Sequence, residues 1–366
     1  MTHKDTGGKR LEIAAFCVSV LSAALLMLTV GSGRISYASA SLMLRSPAPE
    51  TTSRVSATLS GTFFEITEAI TNPPSGENDI TATPDDVAET MRKYTALFAD
   101  DEKGGDIRET AYIEIGATHI FENVRVKNTT ETKSLDIESV LGTELELEID
   151  KSKPAVLIFH SHTSEGYELT ERSWYADGYN ARSNDESLNV VRVGEEIADY
   201  LTDMGYTVIH DKTIHDDSYP DSYPNSRETI NRILEENPQI QIVIDIHRDS
   251  ITLDDGTRMR PVSTINGKKA AQIMIITGAE EGDVEDFPDW EYNLRFALEL
   301  QRECETMYPG LMRPVLFSQR KYNMDVTRCS LLIEMGSEAN TLEQACYSGR
   351  LLASALGSLM ERYTEE

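Results

Sequence analysis

Pro154-Ala-Val-Leu-Ile-Phe-His-Ser-His-Thr-Ser-Glu165 is an apolar run of strand length that stops abruptly at two histidines and a carboxylate. A run this apolar fits a strand covered on both faces, as in a parallel sheet. A buried parallel strand delivers the residues at its carboxyl end to the cleft where open α/β sheets bind ligands. The chain carries seven histidines, at positions 3, 119, 160, 162, 210, 215 and 247. Two of them at one strand end therefore concentrate chemistry there.

Downstream of this stretch, short apolar runs alternate with helical periodicity, the pattern of an α/β domain with a mostly parallel sheet flanked by helices. Strands are expected over 155–160, 206–210, 240–247, 271–277, 314–317 and 330–334, and helices over 188–203, 227–235, 290–307 and 341–361. The pair Asn237-Pro238 supplies a break between helix and strand. Together these make one catalytic domain over 151–366.

Upstream, residues 108–150 alternate in short runs and read as a small β-rich element. Residues 31–107, with Ser, Thr, Pro and Gly clusters such as Asn72-Pro-Pro-Ser-Gly76, read as a low-complexity tether. Residues 11–30 are almost wholly apolar and, at about 1.5 Å per helical residue, reach about 30 Å, one hydrocarbon thickness. Lys4, Lys9 and Arg10 precede that stretch and only Arg34 follows closely. The positive-inside bias puts residues 1–10 in the cytoplasm, so a single-pass membrane protein with an extracytoplasmic catalytic domain is expected. Ala38-Ser-Ala40 offers the alternative of a cleaved signal peptide, but the apolar stretch exceeds the usual core of about 7 to 15 residues, which favours a retained anchor.

Lys and Arg number 34 against 62 Asp and Glu, a formal net charge of -28. That balance argues against a sequence-independent grip on nucleic acid phosphates. Its plainest reading is a solvated acidic surface. Cys17 lies in the apolar stretch, and Cys304, Cys329 and Cys346 are widely spaced. The three form no disulfide framework and no metal-site spacing, although one pair stays open.

Three strand ends carry unusual side chains: His160, His162 and Glu165 after the first, Asp245, His247 and Arg248 at the third, and Glu334 at the last. In parallel strands these ends meet at one sheet edge. An open zinc site wants three His or carboxylate ligands and a free position, and His162, Glu165 and His247 are that set. Zinc so held acidifies a water to a pKa of about 7. A further carboxylate must then carry the proton to the leaving group, and Glu334, following Leu331-Leu-Ile333, is the candidate. Asp245 would orient a ligand from behind. Arg248 reads as a salt-bridge partner or substrate anchor, since guanidinium does not bind metal. His119, His210 and His215 read as hydrogen-bonded loop residues.

The segments Val156-Leu-Ile-Phe-His-Ser-His-Thr-Ser-Glu-Gly-Tyr167, Asn189-Val-Val-Arg-Val-Gly-Glu195, Val243-Ile-Asp-Ile-His-Arg-Asp249 and Leu332-Ile-Glu-Met-Gly336 together resemble the stage II sporulation protein P family. The resemblance covers about residues 154–361. It implies a membrane-anchored, zinc-dependent N-acetylmuramoyl-L-alanine amidase, with endopeptidase activity on cross-linked stem peptides also attributed to the family. It further implies work in septal wall degradation during engulfment, between forespore and mother cell, alongside the stage II sporulation proteins D and M. On this chain His162 and His247 fall at the family's essential histidines and Glu334 at its essential acid. Ser161 stands where the family has Thr. For the third ligand, Glu165 fits a His-x-x-Glu spacing, while Asp185 and Glu186 stay open as alternatives. His160 would assist substrate binding or replace His162. Two other functions fit the same residues: a zinc carboxypeptidase or endopeptidase on stem peptides, and a non-catalytic wall-binding tether.

Overall fold

The computed structural model describes residues 79–364. The expected anchor at 11–30 and the cleavage site at 38–40 lie outside the described residues. Among the described residues no helix is long and apolar enough to cross a membrane.

The chain runs through α1 (Asp85–Leu97), β1 (Lys103–Thr110), β2 (His119–Phe121), β3 (Val124–Asn128), α2 (Ile137–Leu141), β4 (Pro154–Phe159) and β5 (Trp174–Ala176). It continues through α3 (Val190–Asp203), β6 (Thr207–His210), α4 (Ser222–Glu236), β7 (Ile242–Asp249), β8 (Arg258–Ile265) and β9 (Lys268–Ala271). β10 (Ile273–Gly278), α5 (Trp290–Met307), β11 (Val315–Ser318), β12 (Cys329–Ser337) and α6 (Leu342–Glu361) complete it. Eight strands form the main sheet in the order β2-β3-β11-β10-β12-β7-β4-β6, and β5-β1-β8-β9 form a smaller one.

The expected α/β fold is present, but the main sheet is mixed. β12, β7, β4 and β6 run parallel, whereas β10 pairs antiparallel with β12. The reversal follows from a hairpin that the apolar pattern concealed. β8 and β9 pair antiparallel around Asn266-Gly267, both with positive φ, the residue pair that a tight two-residue turn demands. The chain then re-enters the main sheet as β10 in the opposite direction. An apolar run reads the same either way.

Two further expectations need correction. From residue 79 the stretch expected as tether is ordered on the domain: α1 buries Val87 and Met91, Asp86 pairs with Arg192 at 2.9 Å, and Arg350 donates to the carbonyls of Ile80 and Ala82. Residues 108–150 are not a separate β-rich element either. β3 joins β11 in the main sheet, and β1 joins β8 in the smaller one. The alternating run at 143–149 forms only an isolated bridge from Ile149 to Thr364.

Strand alternation sorts the core. Val156, Ile158, Ile242, Ile244, Ile246 and Ile333 pack into the large cluster with α3, α5 and α6. Leu157, Phe159 and Val243 turn the other way, onto Ile230 and Ile233 of α4. With a period of two, Asp245 and His247 continue the α4 side from Val243, and Glu334 continues it from Leu332. His160 continues the opposite side from Ile158.

That opposite side is tightly closed. His160 Nε2 lies 2.9 Å from His210 Nε2, and a Cβ on Gly194 of α3 would stand 2.7 Å from His210 and 2.8 Å from His160. Burial, reinforced at His160 by the facing His210, lowers both imidazoles to about 3. Gly194→Ala would gain about 1 kcal/mol in helix propensity and lose roughly 1–3 kcal/mol to overpacking. A net loss of stability is expected, read as a lower urea midpoint with unchanged slope.

Glu168 gives a second expectation. It is buried, its Oε1 has no hydrogen-bond partner among the described residues, and Arg258 stays 4.0 Å away. Burial outweighs Arg172, Arg258 and Arg260 and pushes its carboxyl up to about 7 from an ordinary 4.5. Between those values the folded chain keeps a proton that the unfolded chain has released, so stability falls as pH rises through this window. The decline reaches up to about 3 kcal/mol. Glu168→Gln should remove most of it, as measured by urea unfolding at pH 5 and pH 8.

Candidate functional site

Parallel pairing of β4 with β7 and of β7 with β12 brings their carboxyl ends to one edge, and Glu334 is the direct cross-strand partner of His247. Immediately after Glu334 the register shifts, and Gly336 takes a φ of 78°. A Cβ there would meet Asn340 Oδ1 at 2.6 Å, so only glycine fits this bulge. Thr341, with Gln344, caps α6. Glu334 therefore has no capping duty.

Asp245 is fully buried and organises the turn after β4. Ser161 donates to it twice, from N to Oδ1 at 2.9 Å and from Oγ to Oδ2 at 2.7 Å. His247 Nε2 lies 3.0 Å from Asp245 Oδ1 and 2.8 Å from Ser161 Oγ. On the other side of the ring, His247 Nδ1 faces Glu165 Oε2 at 3.4 Å. Burial alone would lower His247, but the carboxylates of Asp245 and Glu165 hold it well above its ordinary value. Glu165 in turn accepts from the Arg248 backbone N at 3.1 Å and meets Arg182 at 3.5 Å. Despite its burial, Arg248 and His247 hold its carboxyl well below the usual range.

His162 completes the cluster, with its ring centroid 5.1 Å from that of His247. Burial, helped by the charge of His247, lowers it to about 4, and its Nδ1 is buried with no hydrogen-bond partner among the described residues. It is thus a neutral imidazole with an unused ring nitrogen. Burial, and next the nearby Asp249, push Glu334 up to about 8. Its Oε2 is also buried and unpartnered among the described residues.

The structure thus gathers His162, Glu165, His247, Asp245 and Glu334. Asp185 and Glu186 are not among them: Asp185 caps a short turn through Ser187, and Glu186 is exposed beside Lys212. His160 is corrected as well. Its Nδ1 bonds the Ile246 carbonyl and its Nε2 faces His210, so neither ring nitrogen reaches substrate or metal. Arg248 is not a substrate anchor, because its guanidinium bonds the carbonyls of Gly166 and Ala181 and ties the Glu165 turn to the 181 loop. His210 and His215 are hydrogen-bonded as expected, His215 to the His160 carbonyl and Thr229. Cys304, Cys329 and Cys346 are free and buried.

Among the described residues no three His, Cys, Asp or Glu converge tightly enough, as they stand, to hold a metal ion. Glu165 and His247 face each other at 3.4 Å. The donor chemistry nonetheless fits zinc, with two imidazoles, a carboxylate, an orphaned His162 Nδ1, and Asp245 behind His247 in the position that orients a ligand.

Sequence reasoning passed over the surroundings. Ser161 appeared only as a departure from Thr, yet its hydroxyl links Asp245 to His247. Arg313 braces Asp249 at 2.9 Å beside Glu334. Tyr219 and Tyr223 flank His162 at 4.4 and 5.4 Å. The repeat Ser218-Tyr-Pro-Asp-Ser-Tyr-Pro224 was the readable signal, since a four-residue spacing puts both rings on one side of a helical turn.

Residues 89–357 match the family described as stage II sporulation protein P. The Stage II sporulation protein P of Bacillus subtilis (strain 168) is 32% identical over 205 residues, which is 52% of this chain and 47% of that protein. The chain thus spans about half the length of the curated relative it matches. Among solved structures, the CwlD amidase of Clostridioides difficile, in complex with the GerS lipoprotein, is similar at 11% identity and a TM-score of 0.36, covering 57% of this chain and 98% of that one. The catalytic domain of CwlV, an N-acetylmuramoyl-L-alanine amidase from Bacillus (Paenibacillus) polymyxa, is similar at 11% identity and a TM-score of 0.33, covering 57% and 97%. With most of its length inside the family match, and with the motifs of that match gathered at one sheet edge, the chain belongs to the stage II sporulation protein P family.

Proposed function

We propose that this chain is a zinc-dependent N-acetylmuramoyl-L-alanine amidase that cleaves peptidoglycan during sporulation. One observation carries the reading: three separate strand ends bring two imidazoles and two carboxylates of contrasting character into a single cluster. Family membership supports the substrate class. His162, Glu165 and His247 would hold the ion. Zinc bound there would supply Lewis acidity toward the amide carbonyl and acidify a water.

The remaining chemistry belongs to the chain. Glu334, on the rigid strand β12 with a free Oε2, takes the proton from the attacking water and hands it to the departing alanine nitrogen. Burial pushes this carboxyl up to about 8, so its base form needs a positive charge close by, which an ion held by His162, Glu165 and His247 would supply. Asp245, through Ser161 and directly, fixes the orientation of the His247 ring. We extend the reading to place: the apolar stretch 11–30 anchors the enzyme with its catalytic domain outside the cytoplasm, in company with the stage II sporulation proteins D and M.

Glu334→Gln should keep its zinc and lose roughly a hundred- to ten-thousandfold in wall hydrolysis. Undiminished release of fragments would refute its role. Mass spectrometry of the fragments decides the bond: peptides with a free amino-terminal alanine mark the amidase, and internally cut stem peptides mark an endopeptidase. Wall binding with no fragments released, zinc being supplied, would favour a non-catalytic tether.

Metal content separates the ligands. Alanine at His162, Glu165 or His247 should each cut zinc retention after dialysis by roughly a hundredfold in affinity or more, whereas Asp185→Ala should retain it. Zinc held equally by Glu165→Ala would remove Glu165 from the set.

A further inference from the structure

Beyond the reacting cluster, the side of the site next to α4 is built of tyrosine. The Tyr219 ring lies over His162 with centroids 4.4 Å apart and planes 36° apart, yet the residue is 41% exposed. Tyr223 meets the same imidazole edge-on at 5.4 Å. Tyr322, from the loop between β11 and β12, stacks on Tyr223 at 5.0 Å with planes 11° apart.

That assembly joins segments a hundred residues apart and is deliberately held. Tyr322 and Asn323 both have positive φ, 42° and 59°, a conformation that side chains with a Cβ disfavour. Asn323 donates to the Tyr223 carbonyl and to Ser226 Oγ, and Arg227 pairs with Asp325. These contacts keep the strained loop against α4. Tyr322 also leans on the buried cluster of Ile276, Phe287, Met324 and Leu332, but core packing does not account for Tyr219, the most exposed of the three rings and the one nearest His162.

We propose that Tyr219, backed by Tyr223 and Tyr322, is the saccharide-binding wall of this site. The inference rests on the hydrolase reading above and names the part of the substrate that this side receives. A pyranose offers a flat face of C–H bonds with polarised hydrogens, which suits the negative face of an aromatic ring, while the hydroxyl of the exposed Tyr219 serves the sugar hydroxyls. A stem peptide would bring carboxylates and would need cations. The guanidinium groups of this wall already have partners: Arg182 bonds Ser164, pairs with Asp216 and Glu165 and lies 5.3 Å from the Tyr219 ring centroid, Arg320 bonds the Tyr322 hydroxyl, and Arg227 pairs with Asp325. The sugar therefore docks on the tyrosine side.

Calorimetric titration tests this with the full chain carrying Glu334→Gln, so that nothing is turned over. Peptide-free glycan strands and the free stem peptide serve as separate probes. Tyr219→Ala should weaken glycan binding by roughly three- to tenfold, Tyr219→Trp should preserve it, and stem-peptide binding should not change. With Glu334 restored, Tyr219→Ala should raise KM for wall digestion more than it lowers kcat. Glycan binding that is absent from the parent, or equal in parent and Tyr219→Ala, overturns the proposal, as does a loss confined to the stem peptide. The two readings fail separately. Wall hydrolysis with Tyr219-independent glycan binding removes the saccharide wall alone, and Tyr219-dependent glycan binding without any fragment release removes the hydrolase alone.

Discussion

A buried carboxylate on the central strand sets the geometry of everything around it. Asp245 is shielded from solvent, and an uncompensated charge there would cost several kcal/mol. Its compensation comes from two directions: the Ser161 backbone and hydroxyl at the end of β4, and the His247 imidazole two residues on along β7. Meeting that charge pulls the turn after β4 across the carboxyl end of β7. Once the turn is placed, His162 and Glu165 fall beside His247. The serine at 161 keeps the hydroxyl that this linkage needs, so its departure from threonine leaves the chemistry intact.

The same cluster drives two carboxyls apart. Glu165 accepts from a backbone N–H and lies among Arg182, Arg248 and His247, so it stays ionised. Glu334 stands opposite the same imidazole, but burial and the charge of Asp249 favour its protonated form. On the proposed reading, the first would hold a cation and the second carry a proton. The contrast arises here from position alone, since both side chains are glutamates.

Much of this was legible in the sequence. Runs such as 155–160 and 330–334 were long and apolar enough to mark buried strands, and the five residues of the cluster could be named because parallel strands share an edge. What escaped had physical reasons. The reversal of β10 hinges on Asn266-Gly267, a two-residue signal lost among longer patterns. The location of His160 depended on alternation: it continues the Ile158 side, toward Gly194, so its closeness to His162 in sequence misled. The helix α1 was hidden by the Ser- and Pro-rich composition of its neighbours, although Val87 and Met91 stand four residues apart. Tyr322 was illegible outright, because its contact with Tyr223 requires a loop conformation that no local pattern encodes.

The distribution of burial also constrains how a substrate arrives. His162, Glu165 and His247 are all buried, and the side of the sheet facing α3, α5 and α6 is filled by the main core. Access is thus confined to the strand ends and the α4 side, where Glu334 is half-buried and Tyr219 is exposed. An edge of this kind suits a polymer laid across it better than a small molecule enclosed within it. On the proposed reading the long glycan of a cell wall has that form, and the amide cleaved would hang from the sugar toward Glu334.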